Sequence, residues 1–331
     1  MGTLSSSRRL STGILALVLV GAAVLTLLDL RLASSQTITL VAKRSENAIP
    51  LDDPSADVWD KGAPIQVPLS GQNVVAPKGG DQGTVTARAL HHDGKLYIRL
   101  EWNDESEDAS TGRQNDFTDA AAVQFPVEHG ESVPAFCMGN PEAPVNIWQW
   151  KASWQTGTGA SVLDVQDVYP NVDVDLYPFE DEAEFYPASA SGNIVARADR
   201  TSAADNLLAG SFGTLRAAED QMVNGMGSWD DGKWRVVFSR DLEVAGEYAQ
   251  FSEGDSTNVA FAVWDGARAE RDGIKSVSQF MTLEISPEIA TGGGGGLSGE
   301  AVGLFVVVGL VVIVGLAAAG SYLLYTRRQT A

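Results

Sequence analysis

Two methionines each stand directly before a glycine, Met138-Gly139 and Met226-Gly227, and both lie among aromatic and apolar residues. The first belongs to Pro134-Ala-Phe-Cys-Met-Gly139, followed by Pro144-Val-Asn-Ile-Trp-Gln-Trp-Lys-Ala152. The second opens Gly225-Met-Gly-Ser-Trp229, followed by Lys233-Trp-Arg-Val-Val-Phe238. A third such stretch is Phe117-Thr-Asp-Ala-Ala-Ala-Val-Gln-Phe-Pro126. Apolar side chains beside backbone-exposing glycine suit a flat apolar cofactor, and a thioether is a soft ligand for a reduced metal. Taken alone, a methionine is an adaptable core filler. The combination of segments carries the reading, not either residue.

Other chemistry is sparse. Cys137 is the single cysteine, which excludes a disulfide within the chain, thiolate-held iron–sulfur clusters and CxxCH attachment of a haem. His91 and His92 precede Asp93-Gly94 and read as exposed turn residues, and His129 sits between Glu128 and Gly130. There is no nucleophile elbow of the G-x-S-x-G kind and no phosphate-binding glycine loop. The chain reads as non-catalytic.

The elements that must position these segments are strands. Val85–Leu90 and Lys95–Trp102 flank a tight Asp-Gly turn, and Leu96, Ile98, Leu100 and Trp102 share one face by period two. Trp234–Phe238 repeats the pattern after Asp231-Gly232, and Thr37–Val41, Val259–Trp264 and Phe280–Ile285 are further strands. Thr201–Leu208 is a short helix candidate. Many short strands without alternating helices predict an all-β domain over residues 36–290, an immunoglobulin-like or DOMON-like β-sandwich. The acidic run Asp173–Glu184 reads as a solvated loop.

Both ends point to a membrane. Arg8 and Arg9, the apolar run Leu10–Leu28 and the small residues Ala33-Ser34-Ser35 make residues 1–35 either an export signal or an uncleaved anchor. Gly-rich residues 291–300 read as a linker. Residues 301–325 carry no charge and exceed the roughly 20 apolar residues that cross a bilayer. Arg327 and Arg328 then place residues 326–331 in the cytoplasm and the domain outside it. The net charge of −20, with 7 Lys against 16 Arg, excludes a nucleic-acid binder and suits a surface that works in high salt, as in an extreme halophile.

The segments from Asp57-Val-Trp59 and Val67-Pro-Leu69 through Val85–Trp102, Asp119–Pro126, Met138-Gly139 and Val145-Asn-Ile-Trp-Gln-Trp-Lys151 to Arg240-Asp-Leu242 resemble the haem b–binding gamma subunit of ethylbenzene dehydrogenase and its relatives among the dimethyl sulfoxide reductase family of molybdenum enzymes. The resemblance implies a β-sandwich holding one non-covalent haem b between a methionine and a lysine. It implies electron transfer to an iron–sulfur beta subunit and a molybdopterin alpha subunit. Met138 falls at the methionine position. The lysine position falls at Met226, which implies either two methionine ligands or a substitute such as Lys151. Lys151 would otherwise meet a haem propionate, with Trp148 and Trp150 beside the cofactor. A competing expectation is a carbohydrate- or ligand-binding module, with Trp148, Trp150 and Trp154 as a stacking platform. The acidic surface generates a prediction of its own: lowering salt from molar to about 0.1 M should lower the thermal midpoint or release the haem, because carboxylate repulsion is then less screened. A melting curve unchanged over that range removes the high-salt reading.

Overall fold

The computed structural model describes residues 38–128, 134, 138–156, 159–160, 165–173, 191, 193 and 200–291. The expected signal or anchor, glycine linker, membrane span and tail, most of the acidic run after Asp173, and His129 all lie outside the described residues. Among the described residues no helix is long and apolar enough to cross a membrane.

The described strands are β1 (Thr39–Arg44), β2 (Ile65–Pro68), β3 (Ser70–Gly71), β4 (Thr84–His92), β5 (Lys95–Asn103), β6 (Ala120–Pro126), β7 (Val145–Lys151), β8 (Gln155–Thr156) and β9 (Gly159–Ala160). They continue with β10 (Ala204–Ala209), β11 (Arg216–Ala217), β12 (Asn224–Asp230), β13 (Lys233–Asp241), β14 (Ser256–Trp264), β15 (Ser276–Val277) and β16 (Met281–Ile289). One layer runs β12-β13-β5-β4-β1-β16, and the other β11-β10-β7-β6-β14 with β15 and β3 at its edge. β14 joins them: Ser256–Val259 pairs with β16, and Ala260–Trp264 pairs with β6. The parallel pairing of β1 with β16 and β4 makes the sheet mixed.

The layers meet over a core drawn from both, which holds Leu96, Ile98, Leu100 and Trp102 of β5 together with Trp148 and Trp150 of β7 and Trp234 of β13. Trp150 stands edge-on to Trp234 with ring centroids 4.9 Å apart. β12 can approach because it offers glycine: a Cβ on Gly227 would meet the Trp150 ring at 2.4 Å, and one on Gly225 would meet Ala204 Cβ at 2.5 Å. Alternation along the strand turns Met226, between them, away from that core.

The expected strands and both Asp-Gly turns are present, with positive φ at Asp93, Gly94, Asp231 and Gly232. Two expectations are corrected. Ala204–Ala209 is strand β10 rather than helix: it is buried at every position and paired on both sides by β7 and β11. Asp205 and Asn206 are buried along with the apolar residues, so the short segment, covered on both faces, carries no alternation that separates strand from helix. His91 and His92 end β4 rather than sit in its turn. His91 is buried, with Nε2 2.8 Å from Ser286 O, and His92 Nδ1 lies 2.8 Å from Ser45 O.

Gly227→Ala should therefore force the layers apart, at a cost of about 1–3 kcal/mol. Chemical denaturation of the two proteins measures it, and equal midpoints would show that the Trp150 contact does not set the layer spacing.

Candidate cofactor site

Alternation assigns the faces of the second layer. Odd residues of β6 (Ala121, Val123, Phe125) and even residues of β7 (Trp148, Trp150) point into the interlayer core. The opposite face presents Ala120, Ala122 and Gln124 of β6, Ile147, Gln149 and Lys151 of β7, and Ala260, Ala262 and Trp264 of β14. The ladder registers align these side chains in rows, Ala262 beside Ala122 beside Gln149, and Trp264 beside Ala120 beside Lys151. Four alanines on two adjacent strands make a low floor, and larger side chains rise on each side of it. The result is a cavity of about 770 Å³, within the size range of cofactor pockets.

Met138 belongs to one wall. It packs on the apolar cluster of Val145, Ile147, Leu207 and Ala209 with Ala120, Ala122 and Trp264, and the following Gly139 stands against Val145 at the start of β7. Met138 and Gly139 both have positive φ, at 70° and 71°. A Cβ on residue 139 would meet Ala143 O at 2.9 Å, so the turn that delivers Met138 requires glycine. Left-handed backbone at a methionine is uncommon and marks a position the surroundings enforce.

Lys275 belongs to the opposite wall, just before β15. Val277 pairs with Ala262 and Ser276 with Val263, which carries the ladder on from β14 to Lys275. Its backbone is clamped: Gln72 N–H donates to Lys275 O at 2.8 Å, and Lys275 N–H donates to Gly79 O at 3.2 Å. A Cβ on Gly80 would meet the Lys275 carbonyl at 2.2 Å. The ammonium nitrogen lies 4.9 Å from the centre of the Trp264 ring.

Lys151 lines the cavity from the end of β7, in the row of Ala120 and Trp264. Its Nζ lies 4.7 Å from the centre of the Trp154 ring, and the Arg200 guanidinium stacks on that ring at 3.8 Å. Arg200 is committed to Asp205 at 2.6 Å. Burial pushes the Lys151 amine below its ordinary pKa, against the opposing pull of Asp272 and Asp205. No histidine lines the cavity among the described residues, so its nitrogen and sulfur donors for a metal are Met138, Lys151 and Lys275.

Of the residues the sequence singled out, the structure brings Met138 and Lys151 together in this cavity. It does not bring Met226 there. Met226 is half-buried on the outward face of β12, in the other layer, because Gly225 and Gly227 take the inward positions against Trp150. Trp148 and Trp150 share a face as expected, but that face is the core, where both are fully buried. Trp154 is 5 % exposed, so the three tryptophans offer no open stacking platform. Lys275 was missed by the sequence reading, and its signal was the Gly-Ile-Lys-Ser-Val run just before a strand.

A separate acidic group lies where β5 ends, β6 begins and β14 ends. Carboxylate oxygens of Asp104, Asp119 and Asp265 all lie within 4.8 Å of one another. Asp119 is fully buried. It accepts from Asp108 N at 2.7 Å, Trp234 Nε1 at 2.8 Å and Gly266 N at 2.8 Å. Burial raises its pKa to about 7 and that of Asp104 to about 6.

The chain is similar to several known proteins. The "Dimethylsulfide dehydrogenase subunit gamma" of Rhodovulum sulfidophilum is 29% identical over 254 residues, covering 72% of this chain and 77% of that one. The "Putative respiratory nitrate reductase heme subunit ORF7" of Haloferax mediterranei is 28% identical over 260 residues, covering 75% of this chain and 76% of that one. Among solved structures, a family 9 carbohydrate-binding module from Caldicellulosiruptor kristjanssonii in complex with cellotriose aligns over 76% of this chain and 95% of its own, at 9% identity and a TM-score of 0.38. That similarity is too low to bear on the site. The family model described as "Ethylbenzene dehydrogenase" matches residues 56–276, a span that contains all of the cavity lining but Val277, and the chain belongs to that family.

Proposed function

We propose that this chain binds one non-covalent haem b in the alanine-floored cavity and serves as the electron-transfer gamma subunit of a molybdenum oxidoreductase. The observation that carries the reading is the opposition of Met138 on one wall to Lys275 on the other. Two axial ligands must reach an iron from opposite faces of the macrocycle. Lys151 ends β7 and stands over the Trp154 ring, whereas Lys275 comes from the β15 edge, across the floor from β7. The fit is chemical as well as spatial, since a thioether and an amine are both accepted axial donors and the floor is flat and apolar. The haem when bound supplies a one-electron store, and the chain's own residues hold and shield it. Lys151, half-buried at the cavity wall, would face a haem propionate.

The relatives' names support alpha and beta subunits as partners of a gamma subunit. The family resemblance adds that these would be a molybdopterin subunit and an iron–sulfur subunit. The alpha subunit sets the substrate. The apolar run Ala301–Tyr325, followed by Arg327 and Arg328, supports anchoring to the outer face of the cell membrane, and the acidic composition supports a high-salt habitat.

Met138→Ala and Lys275→Ala should each weaken haem retention at least about ten-fold, roughly 1.4 kcal/mol, and abolish the low-spin spectrum. Lys275→Met should keep the haem and raise its midpoint potential, because two thioethers favour the reduced iron. Lys151→Gln should loosen the haem without changing its axial spectrum. Met226→Ala should change nothing. A bleached Met226→Ala beside an unaltered Lys275→Ala would overturn the ligand assignment, and a colourless wild-type protein would overturn the function.

In a second test, protease added to intact cells should cleave within residues 36–290 and spare residues 326–331. Full protection of the domain would remove the extracytoplasmic placement.

A further inference from the structure

Asp104, Asp119 and Asp265 come from three strand ends that are distant in sequence and converge at one edge of the sandwich. Asp119 is fully buried, Asp104 is 6 % exposed, and the Asp265 side chain is 19 % exposed. Burying carboxylates this close is costly unless something of opposite charge or a proton stands between them. Among the described residues the hydrogen bonds and ion pairs bring no cation into the group from inside. The Arg268 guanidinium, 3.1 Å from Asp265 Oδ2, holds the outer side of Asp265 and reaches on to Asp81 at 2.9 Å.

The hydrogen bonds leave a gap at the centre. Asp119 has both oxygens engaged by N–H donors from Asp108, Trp234 and Gly266. Asp265 accepts from Arg268 N and Nε. Asp104 accepts from Ser106 N through Oδ1 at 3.2 Å, while its Oδ2 is buried and completes no well-formed hydrogen bond, the Trp102 indole N–H being the one other donor that faces the carboxylate. A buried carboxylate oxygen without a well-formed hydrogen bond is rare, and here it belongs to a side chain more than nine-tenths buried in an acidic group.

We propose that this group is a structural site for a calcium-class divalent cation. Calcium binds carboxylate oxygens at about 2.3–2.6 Å, so two ligands on opposite sides of one ion stand up to about 5 Å apart. The mutual separations within 4.8 Å therefore admit the ion with little rearrangement. Ligands from three unrelated loops, rather than an octahedral cage, favour the adaptable coordination of calcium over magnesium. The site has a use for the cofactor cavity. The segment after Asp104 returns through Phe117 and Thr118, and the segment after Asp265 returns through Glu270 to Lys275, and all of these line the cavity. One ion at their common root would brace both segments.

The test uses the full chain with its haem, stripped by chelator and held at constant molar KCl so that surface screening does not vary. Calcium chloride titrated calorimetrically should bind at one equivalent and raise the thermal midpoint, and EDTA should reverse the shift. Asp104→Asn and the more exposed Asp265→Asn should each weaken that binding at least ten-fold, while Glu219→Gln, an exposed acid elsewhere, should leave it unchanged. Far-UV circular dichroism and the Soret band report that the variants are folded. No saturable uptake by the wild-type chain overturns the proposal, as does uptake that survives in both folded Asp variants. An equal response to magnesium chloride overturns the assignment to calcium.

Discussion

The contact between Trp150 and the glycines of β12 is the constraint on which the rest of the domain depends. The indole occupies the space that a side chain at residue 227 would need, so the two layers come as close as one aromatic ring allows. Packing at interior density leaves no slack to absorb a change there. Because side chains alternate along a strand, fixing Trp150 inward also fixes Trp148 inward and Lys151 outward. On β12 the same rule sends Met226 to the far surface. One packing event therefore decides which residues of both aromatic segments can reach a cofactor.

What lies outward on β6 and β14 is small. Alanine at 120, 122, 260 and 262 leaves a floor that bulkier strand residues would fill, and the neighbouring strands supply the walls. The lining is also electrically unlike the rest of the chain. Four cations (Lys151, Arg216, Arg271 and Lys275) face four carboxylates (Asp116, Asp205, Glu270 and Asp272), whereas acids outnumber bases 43 to 23 over the whole sequence. An anionic amphiphile with an apolar body suits such a lining better than it suits the surface around it.

Much of this was legible in the sequence. The period-two runs located β5 and β13, and the Asp-Gly pairs located their turns. The Met138 segment was identified, as was Lys151. The second methionine shows why the rest was not. Met138-Gly139 and Met226-Gly227 look alike, but their glycines answer different needs. Gly139 permits a left-handed turn against the Ala143 carbonyl, and Gly227 clears room for an indole from the other layer. Only the second need depends on a residue 77 positions away, and no local pattern records it. Lys275 was hidden for a related reason. It lies in a short connection, and its place on the wall comes from the backbone of Gln72, Gly79 and Gly80, far away in sequence.

The two cavity lysines illustrate how position divides labour between identical side chains. An amine must be neutral to ligate iron, and it must be charged to hold a carboxylate. Lys151 is held between opposing effects, burial lowering its pKa while Asp272 and Asp205 raise it, so an arriving carboxylate would tip it toward the charged form. Lys275 stands on the wall facing a thioether that carries no charge. In the ligand role proposed for Lys275 a bound metal would displace the proton, as metals do for any basic ligand. Residue type alone would allow either lysine either role. The side of the floor from which each one rises separates them.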